Sequence, residues 1–184
     1  MSVDISRQLN IISDEQSLAD KLLGVIGQLK SAGDQPAIAE FDAGTEHVSG
    51  FLTKANIRQF TLDVDEPPQL FGTDKGPNPA ELVLAALGTC QEIVYAAYAA
   101  VLGIPLDSLK INVKGRLDLR GLLSVAPVPA GFSDIDYDVE VKSPAGSDKI
   151  RELARIVNAH CPVLDTLQRP VNVNFGLVHN EERL

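Results

Sequence analysis

NPAELVLAALGTCQEIVYAAYAAVLGI, residues 78 to 104, is the stretch whose reading decides the fold. Asn78 is placed to cap a helix, Pro79 suits the first helical position, and Glu81 stands where it can reach back to the Asn78 amide in a capping box. From Leu82 the run is apolar or small on nearly every face. Ala85, Ala86, Gly88, Ala96, Ala97, Ala99 and Ala100 permit close backbone approach, until Gly103 supplies a stop. A helix apolar all round is expected to be buried. Gln91 and Glu92 stand in its middle beside Cys90, and a bilayer would penalise them, so the stretch reads as a core helix and not a membrane span. Polar groups beside a thiol inside such a helix need partners, which makes the stretch a candidate site.

A chain of 184 residues with 45% hydrophobic content suits one domain with its own core. The formal net charge of -9 argues against nucleic acid or an anionic membrane surface as the main partner, since neither would attract it. The start, MSVDISRQLN, carries Asp4 and lacks a long apolar run and a small-residue cleavage site, so no secretory signal is read and a cytoplasmic location is expected. In that reducing compartment Cys90 and Cys161 are expected to be free, reactive or metal-binding rather than permanently bridged.

Residues 13–32 have helical periodicity, with Ser13 and Gln16 in capping-box spacing and Leu18, Leu22, Val25, Ile26 and Leu29 on one side. Three alternating runs follow, AIAEFDAG, HVSGFLTK and IRQFTLDV, and predict three antiparallel strands with turns at Gly44-Thr45 and Ala55-Asn56. The loop DEPPQLFGTDKGPNP, punctuated by glycine and proline, leads into the central helix and is long enough to suggest a functional role. Beyond it, 109–119 and 132–141 alternate cleanly and predict a strand pair. A helix capped by Ser147 and Asp148 is expected to end near Asn158, Pro162 opens a short helix to Gln168, and 171–178 is expected as a last strand. This order is that of an α+β fold.

Cys90 alone reads equally well as a small buried hydrophobe. Cys161 stands at a helix start, where amides and the macrodipole favour a thiolate, so on dipoles alone it is the more acidic of the two. Cys90 would need a nearby Arg or His to ionise. His160 reads as a surface residue at a helix end, and zinc held by Cys90, Cys161 and His160 lacks a fourth ligand at a recognisable spacing. Glu81 lies about 13 Å along the helix from Cys90, on the opposite face, so only a second subunit or a break in the helix would unite them. FGTDKGP lacks the spacing of a phosphate-binding loop, and no hydrolase nucleophile elbow is present. No cofactor or metal site is therefore assigned.

DEPPQLFGTDKGPNPAELVLAALGTC, followed far downstream by HCPVLDTLQRPVNV, resembles the OsmC/Ohr superfamily of osmotically inducible and organic-hydroperoxide-resistance proteins. The resemblance runs from about residue 36 to 178 and is nearest in wording to a less characterised OsmC-like branch. Residues 1–35 lie outside it and read as an N-terminal helical extension, with 36–184 as an OsmC-like domain. The resemblance implies antiparallel sheets wrapped around the cysteine-bearing helix in an intertwined homodimer, with thiol-dependent peroxidase chemistry on organic hydroperoxides. Carried over, Cys90 matches the attacking cysteine and Cys161 the resolving one, with a dithiol as reductant. This reverses the order that dipoles suggest. The family's Arg comes from the early strands, where Arg58 is the only arginine between residues 37 and 77. The family's Glu follows the Pro directly; that position is Ala80 here, and Glu81, one step later, is kept as a candidate. The alternative is a non-catalytic dimer that binds a small apolar or thiol ligand at the interface.

Overall fold

The computed structural model describes residues 17–184, so the expected Ser13–Gln16 capping box lies outside the described residues. Helix α1 (Leu18–Ser31) starts on Ser17, whose hydroxyl accepts the Asp20 amide. It leans on the central helix with Leu22, Val25 and Ile26 half-buried and no residue fully so.

Strands β1 (Gly44–Ser49), β2 (Leu52–Ile57) and β3 (Phe60–Val64) form an antiparallel sheet in that order. The number of strands matches the alternating runs, but their bounds do not. Residues 37–43 belong to no strand, and the turns fall at Gly50-Phe51 and Arg58-Gln59. A two-residue hairpin needs a left-handed residue, which Gly50 supplies without a steric penalty at φ +57°. Arg58 takes φ +54° in the second turn, a conformation that its sequence does not advertise. Asn56, expected in a turn, sits in the ladder and accepts a hydrogen bond from the Thr61 hydroxyl at 2.9 Å.

The loop from Asp65 to Asn78 is tied around one buried carboxylate. Asp65 accepts the amides of Glu66, Thr73 and Lys75 and the Thr73 hydroxyl. These bonds satisfy backbone donors that a ladder would otherwise take, and the segment, expected without regular structure, also forms one 3-10 turn at Pro68–Leu70, closed by Phe71 at φ +67°.

Helix α2 (Pro79–Leu102) has the caps that its sequence predicts. Asn78 Oδ1 accepts the Glu81 amide, Glu81 accepts the Asn78 amide, and Gly103 closes the end at φ +64°. Its burial differs from expectation. Leu87, Gly88, Gln91, Tyr95 and Ala99 are buried on one face, whereas Ala85, Ala86, Thr89, Ile93 and Ala96 run exposed along another. The chain has too few layers to cover both faces of so apolar a helix.

Strands β4 (Ser108–Leu117) and β5 (Phe132–Lys142) pair antiparallel along their length. Leu109, Ile111, Val113, Ile135, Tyr137 and Val139 turn toward the helices. The other face is charged, with Arg116 between Asp134 and Asp136. Gly115 is needed for this approach, since a Cβ there would strike the Phe132 ring. Helix α3 (Leu119–Leu122), which the alternation does not foresee, is a single turn capped by Asp118.

Helix α4 (Ser147–His160) is capped at Gly146 rather than by the Ser147 side chain, and it runs past Asn158 to His160. Helix α5 (Pro162–Gln168) follows at once. Tyr95, Ala99 and Ile104 pack with Leu153 and Val157 in one core cluster; Leu87, Cys161 and Leu164 form a second beside it. The strand expected over 171–178 does not form: only Val178–His179 (β6) pairs, with Glu182–Arg183 (β7). Residues 171–177 find no edge among the described residues, and Val173 and Phe175 stand 89% and 87% exposed.

Candidate active site

Cys90 and Cys161, far apart in sequence, meet where α2 crosses the junction of α4 and α5. Their sulfurs are 3.4 Å apart, with the Cys161 thiol donating to Cys90 Sγ, and both cysteines are free. Cys161 is 1% exposed and forms the floor of the site; Cys90 is half-buried, between that floor and the exposed stripe of α2.

Cys161 is where α4 ends and α5 begins, because Pro162 cannot continue the first helix yet suits the first position of the second. The Val163 amide, in the first turn of α5, lies near enough to the Cys90 thiol to favour its anion. Burial nevertheless pushes the Cys90 thiol above its ordinary range, the neighbouring Cys161 adds to the rise, and the Val163 amide opposes it. Within one chain Cys90 is a protonated thiol at neutral pH, and a thiolate there needs a cation.

The remaining residues singled out in sequence stand apart from the sulfurs within this chain. Glu81 is occupied by the capping box, nine residues before Cys90 on the helix. Arg58 is exposed at the β2–β3 turn, its guanidinium 5.3 Å from the centre of the Phe60 ring. His160 is exposed, with its Nδ1 donating to the Ile156 carbonyl at 2.7 Å and its ring against Tyr98. Among the described residues no group of three His, Cys, Asp or Glu side chains is placed to hold a metal ion.

Two further residues matter beside the sulfurs. Tyr137, inward-facing on β5, packs in the Cys161 cluster and donates its hydroxyl to Asn158 at 3.0 Å. Its phenol is pushed up by burial and then by Cys161. Only an aromatic among the Val and Ile positions of 132–141 signals it in sequence. Gln91 is fully buried, and neither its Oε1 nor its Nε2 finds a partner. A cleft of about 400 Å³ opens beside the cysteines and shares Leu87, Ile135, Tyr137 and Leu164 with their cluster. Its wall is mostly apolar, suited to an organic group held next to that cluster.

The family model described as OsmC-like protein matches residues 72–176. A relative described as a hydroperoxide reductase, from Mycoplasma genitalium, is 29% identical over 124 residues, spanning 65% of this chain and 84% of its own. Among solved structures, the OsmC-like protein from Mycoplasma pneumoniae matches with a TM-score of 0.62 at 26% identity, over 77% of this chain and 99% of that one. An organic hydroperoxide resistance protein OsmC from Legionella pneumophila shares the fold at a TM-score of 0.53 and 18% identity, over 71% of this chain and 92% of that one. The match takes in the central helix, the strand pair and both cysteines, and on that ground this α+β chain belongs to the OsmC-like protein family.

Proposed function

We propose that the protein is a dimeric, cysteine-based reductase of organic hydroperoxides, the activity in the name of its Mycoplasma genitalium relative. The observation that carries this reading is the pair of free thiols 3.4 Å apart, one half-exposed beside an apolar cleft and the other sealed beneath it. Cys90, as thiolate, attacks one peroxide oxygen; the S–O bond forms as the O–O bond breaks, and the alkoxide leaves with a proton as the alcohol. Cys161 then attacks the Cys90 sulfur, forming the disulfide, while the hydroxyl departs as water with the proton from Cys161. A disulfide bond is about 2.05 Å long, so the sulfurs need to approach by little more than 1 Å. A dithiol reduces the bridge, and free thiols of this kind suit a reducing compartment such as the cytoplasm.

In this reading the cation that Cys90 needs comes from a second copy. The exposed stripe of α2, the uncovered apolar residues of β1–β3 and the unpaired 171–177 segment support a homodimer in which Arg58 of one chain approaches the thiol of the other. Glu81, next to Ala80, is the carboxylate proposed to hold that arginine. A second reading, a dimer that binds a small apolar or thiol ligand without turnover, is favoured by the raised Cys90 thiol and the apolar wall of the cleft.

Cumene hydroperoxide and thiol mapping by mass spectrometry separate the two. A Cys161→Ser variant is expected to accumulate a sulfenic acid on Cys90 that dimedone traps, and the parent chain to form the Cys90–Cys161 disulfide. If no Cys90 adduct appears in the Ser variant, the reductase reading fails. Peroxide consumption unchanged by Cys90→Ser, together with saturable ligand binding, would establish the second.

A further inference from the structure

Gln91 presents the one buried side chain among the described residues whose polar atoms both lack a partner. A carboxamide sealed from solvent with nothing to bond is rare in native interiors and calls for an explanation. A partner chain does not provide one, because Gln91 is fully covered by its own chain.

Its surroundings locate the missing partner. Leu87, one turn before it on α2, packs with Cys161 and Leu164; Tyr95, one turn after it, packs with Leu153 and Val157. Val157 is itself one turn before Cys161 on α4. Tyr137, inward-facing on β5, packs against the same cluster as Leu87 and Cys161. The buried stripe of α2 thus places Gln91 between the cluster that holds Cys161 and the cluster that holds Leu153 and Val157.

We propose that Gln91 is the positioning residue of the resolving thiol. In the reduced protein the Cys161 thiol donates to Cys90 Sγ. Once Cys90 carries a leaving group, Cys161 becomes the nucleophile: its sulfur bonds to Cys90 sulfur, the leaving group departs with the electron pair of its bond to that sulfur, and the Cys161 proton goes with it. Sealed at 1% exposure, Cys161 has no bulk water to stabilise its developing negative charge. The Nε2–H donors of Gln91 supply that stabilisation and aim the sulfur. This rests on the two-cysteine reading given above, but not on peroxide being the oxidant.

Dithiodipyridine tests it without peroxide. Cys90 attacks the reagent and releases the first pyridinethione; Cys161 displaces the second from the mixed disulfide, so the two absorbance phases report the two cysteines separately. Gln91→Met and Gln91→Leu are expected to slow the second phase roughly tenfold, the worth of one hydrogen bond to a charged group, and to leave the first within about twofold. Their melting temperatures are expected to hold or rise, because an unpaired carboxamide gives way to packing. Gln91→Glu, sealed from water and so held protonated, keeps one O–H donor and is expected to slow the second phase less than the apolar variants do. An unchanged second phase in the Met and Leu variants overturns the proposal. So do equal slowing of both phases, a second phase that survives Cys161→Ser, or failure of both apolar variants to fold. Should hydroperoxide leave Cys90 untouched, the reductase reading falls while these phases still decide the role of Gln91.

Discussion

The helical half of the molecule and its amino-terminal hairpin sheet both carry apolar side chains, and these end in opposite conditions. Around α2, α4 and α5 the apolar residues close on one another: Leu87, Tyr95, Leu153 and Val157 are at most 2% exposed. In β1–β3 only Leu52 and Val64 are buried, while Val48, Phe51, Ile57, Phe60 and Leu62 remain exposed, as do Val171, Val173 and Phe175 near the carboxyl end. Scattered apolar residues are ordinary on a monomer, whereas a sheet face, a helix stripe and a segment unpaired among the described residues together favour the proposed dimer. The closed half carries the sulfurs; the open half carries Arg58, the cation candidate. A chain that keeps its thiols in one region and the proposed source of their charge in the other is complete, on this reading, only as a pair.

The largest effect tests that pairing. Ile93→Asp on the open face of α2 and Phe175→Asp in the unpaired segment each place a charge where a second copy would sit. Each is expected to raise the dimer dissociation constant at least about a thousandfold, or roughly 4 kcal/mol, by sedimentation velocity across a dilution series. The same changes on a free surface would pass almost unnoticed. A parent chain that sediments as a monomer at every concentration would break the comparison, because its open half would then need no cover.

Arg58→Ala sharpens the link between the halves. Burial raises the Cys90 thiol, and a cation lowers it by favouring the charged form. The rate of alkylation by iodoacetamide follows the thiolate fraction, so in a dimer with Arg58 at the thiol its inflection is expected below the ordinary thiol value of about 8.5. Removing Arg58 is expected to move the inflection up by about a unit or more and to slow peroxide consumption roughly 10- to 100-fold. An inflection above the ordinary range that Arg58→Ala leaves in place would disconnect the hairpin from the site.

How much of this is legible in sequence depends on the range of the interaction. Asn78, Pro79, Glu81 and Gly103 fix both ends of α2 through contacts within a few residues, and the structure places them as read. The strand pair is equally plain, because one core face and one charged face give a clean alternation. The hairpin bounds slip because the second turn depends on Arg58 adopting a left-handed backbone, a property that residue type does not announce. The helix start at Cys161 is legible from Pro162, but the nearness of the Val163 amide to Cys90 is not, because only the packing of α2 on α5 brings them together. Gln91 shows in sequence only as a polar residue in an apolar helix. That it lies sealed and unpartnered between the two core clusters depends on α4 packing, which no local pattern encodes.

The smallest effect concerns the loop that joins the two halves. Asp65 follows directly on β3, and its carboxylate gathers the Thr73 hydroxyl and the amides of Glu66, Thr73 and Lys75 just ahead of the α2 cap. The Thr73 hydroxyl is the first reason that its carboxyl titrates below the ordinary value; burial opposes this and the amides add to it. A carboxylate with a depressed folded pKa contributes stability that is present above the unfolded value of about 4 and is lost as pH falls through the folded one. Asp65→Asn removes that dependence, and whichever way the amide turns, its NH₂ faces a donor. The melting temperature of the parent is therefore expected to fall more steeply between pH 5 and pH 2 than that of the variant, with faster amide exchange at Thr73 and Lys75 in the variant at neutral pH. Since Asp65 belongs to the hinge between the regions and to neither core, the first phase of dithiodipyridine release should stay within about twofold. Parallel acid limbs in the two proteins would mean that the loop is held by its backbone bonds alone, such as Asp65 N–H to the Pro77 carbonyl and Asp74 N–H to the Glu66 carbonyl, and that the carboxylate only follows.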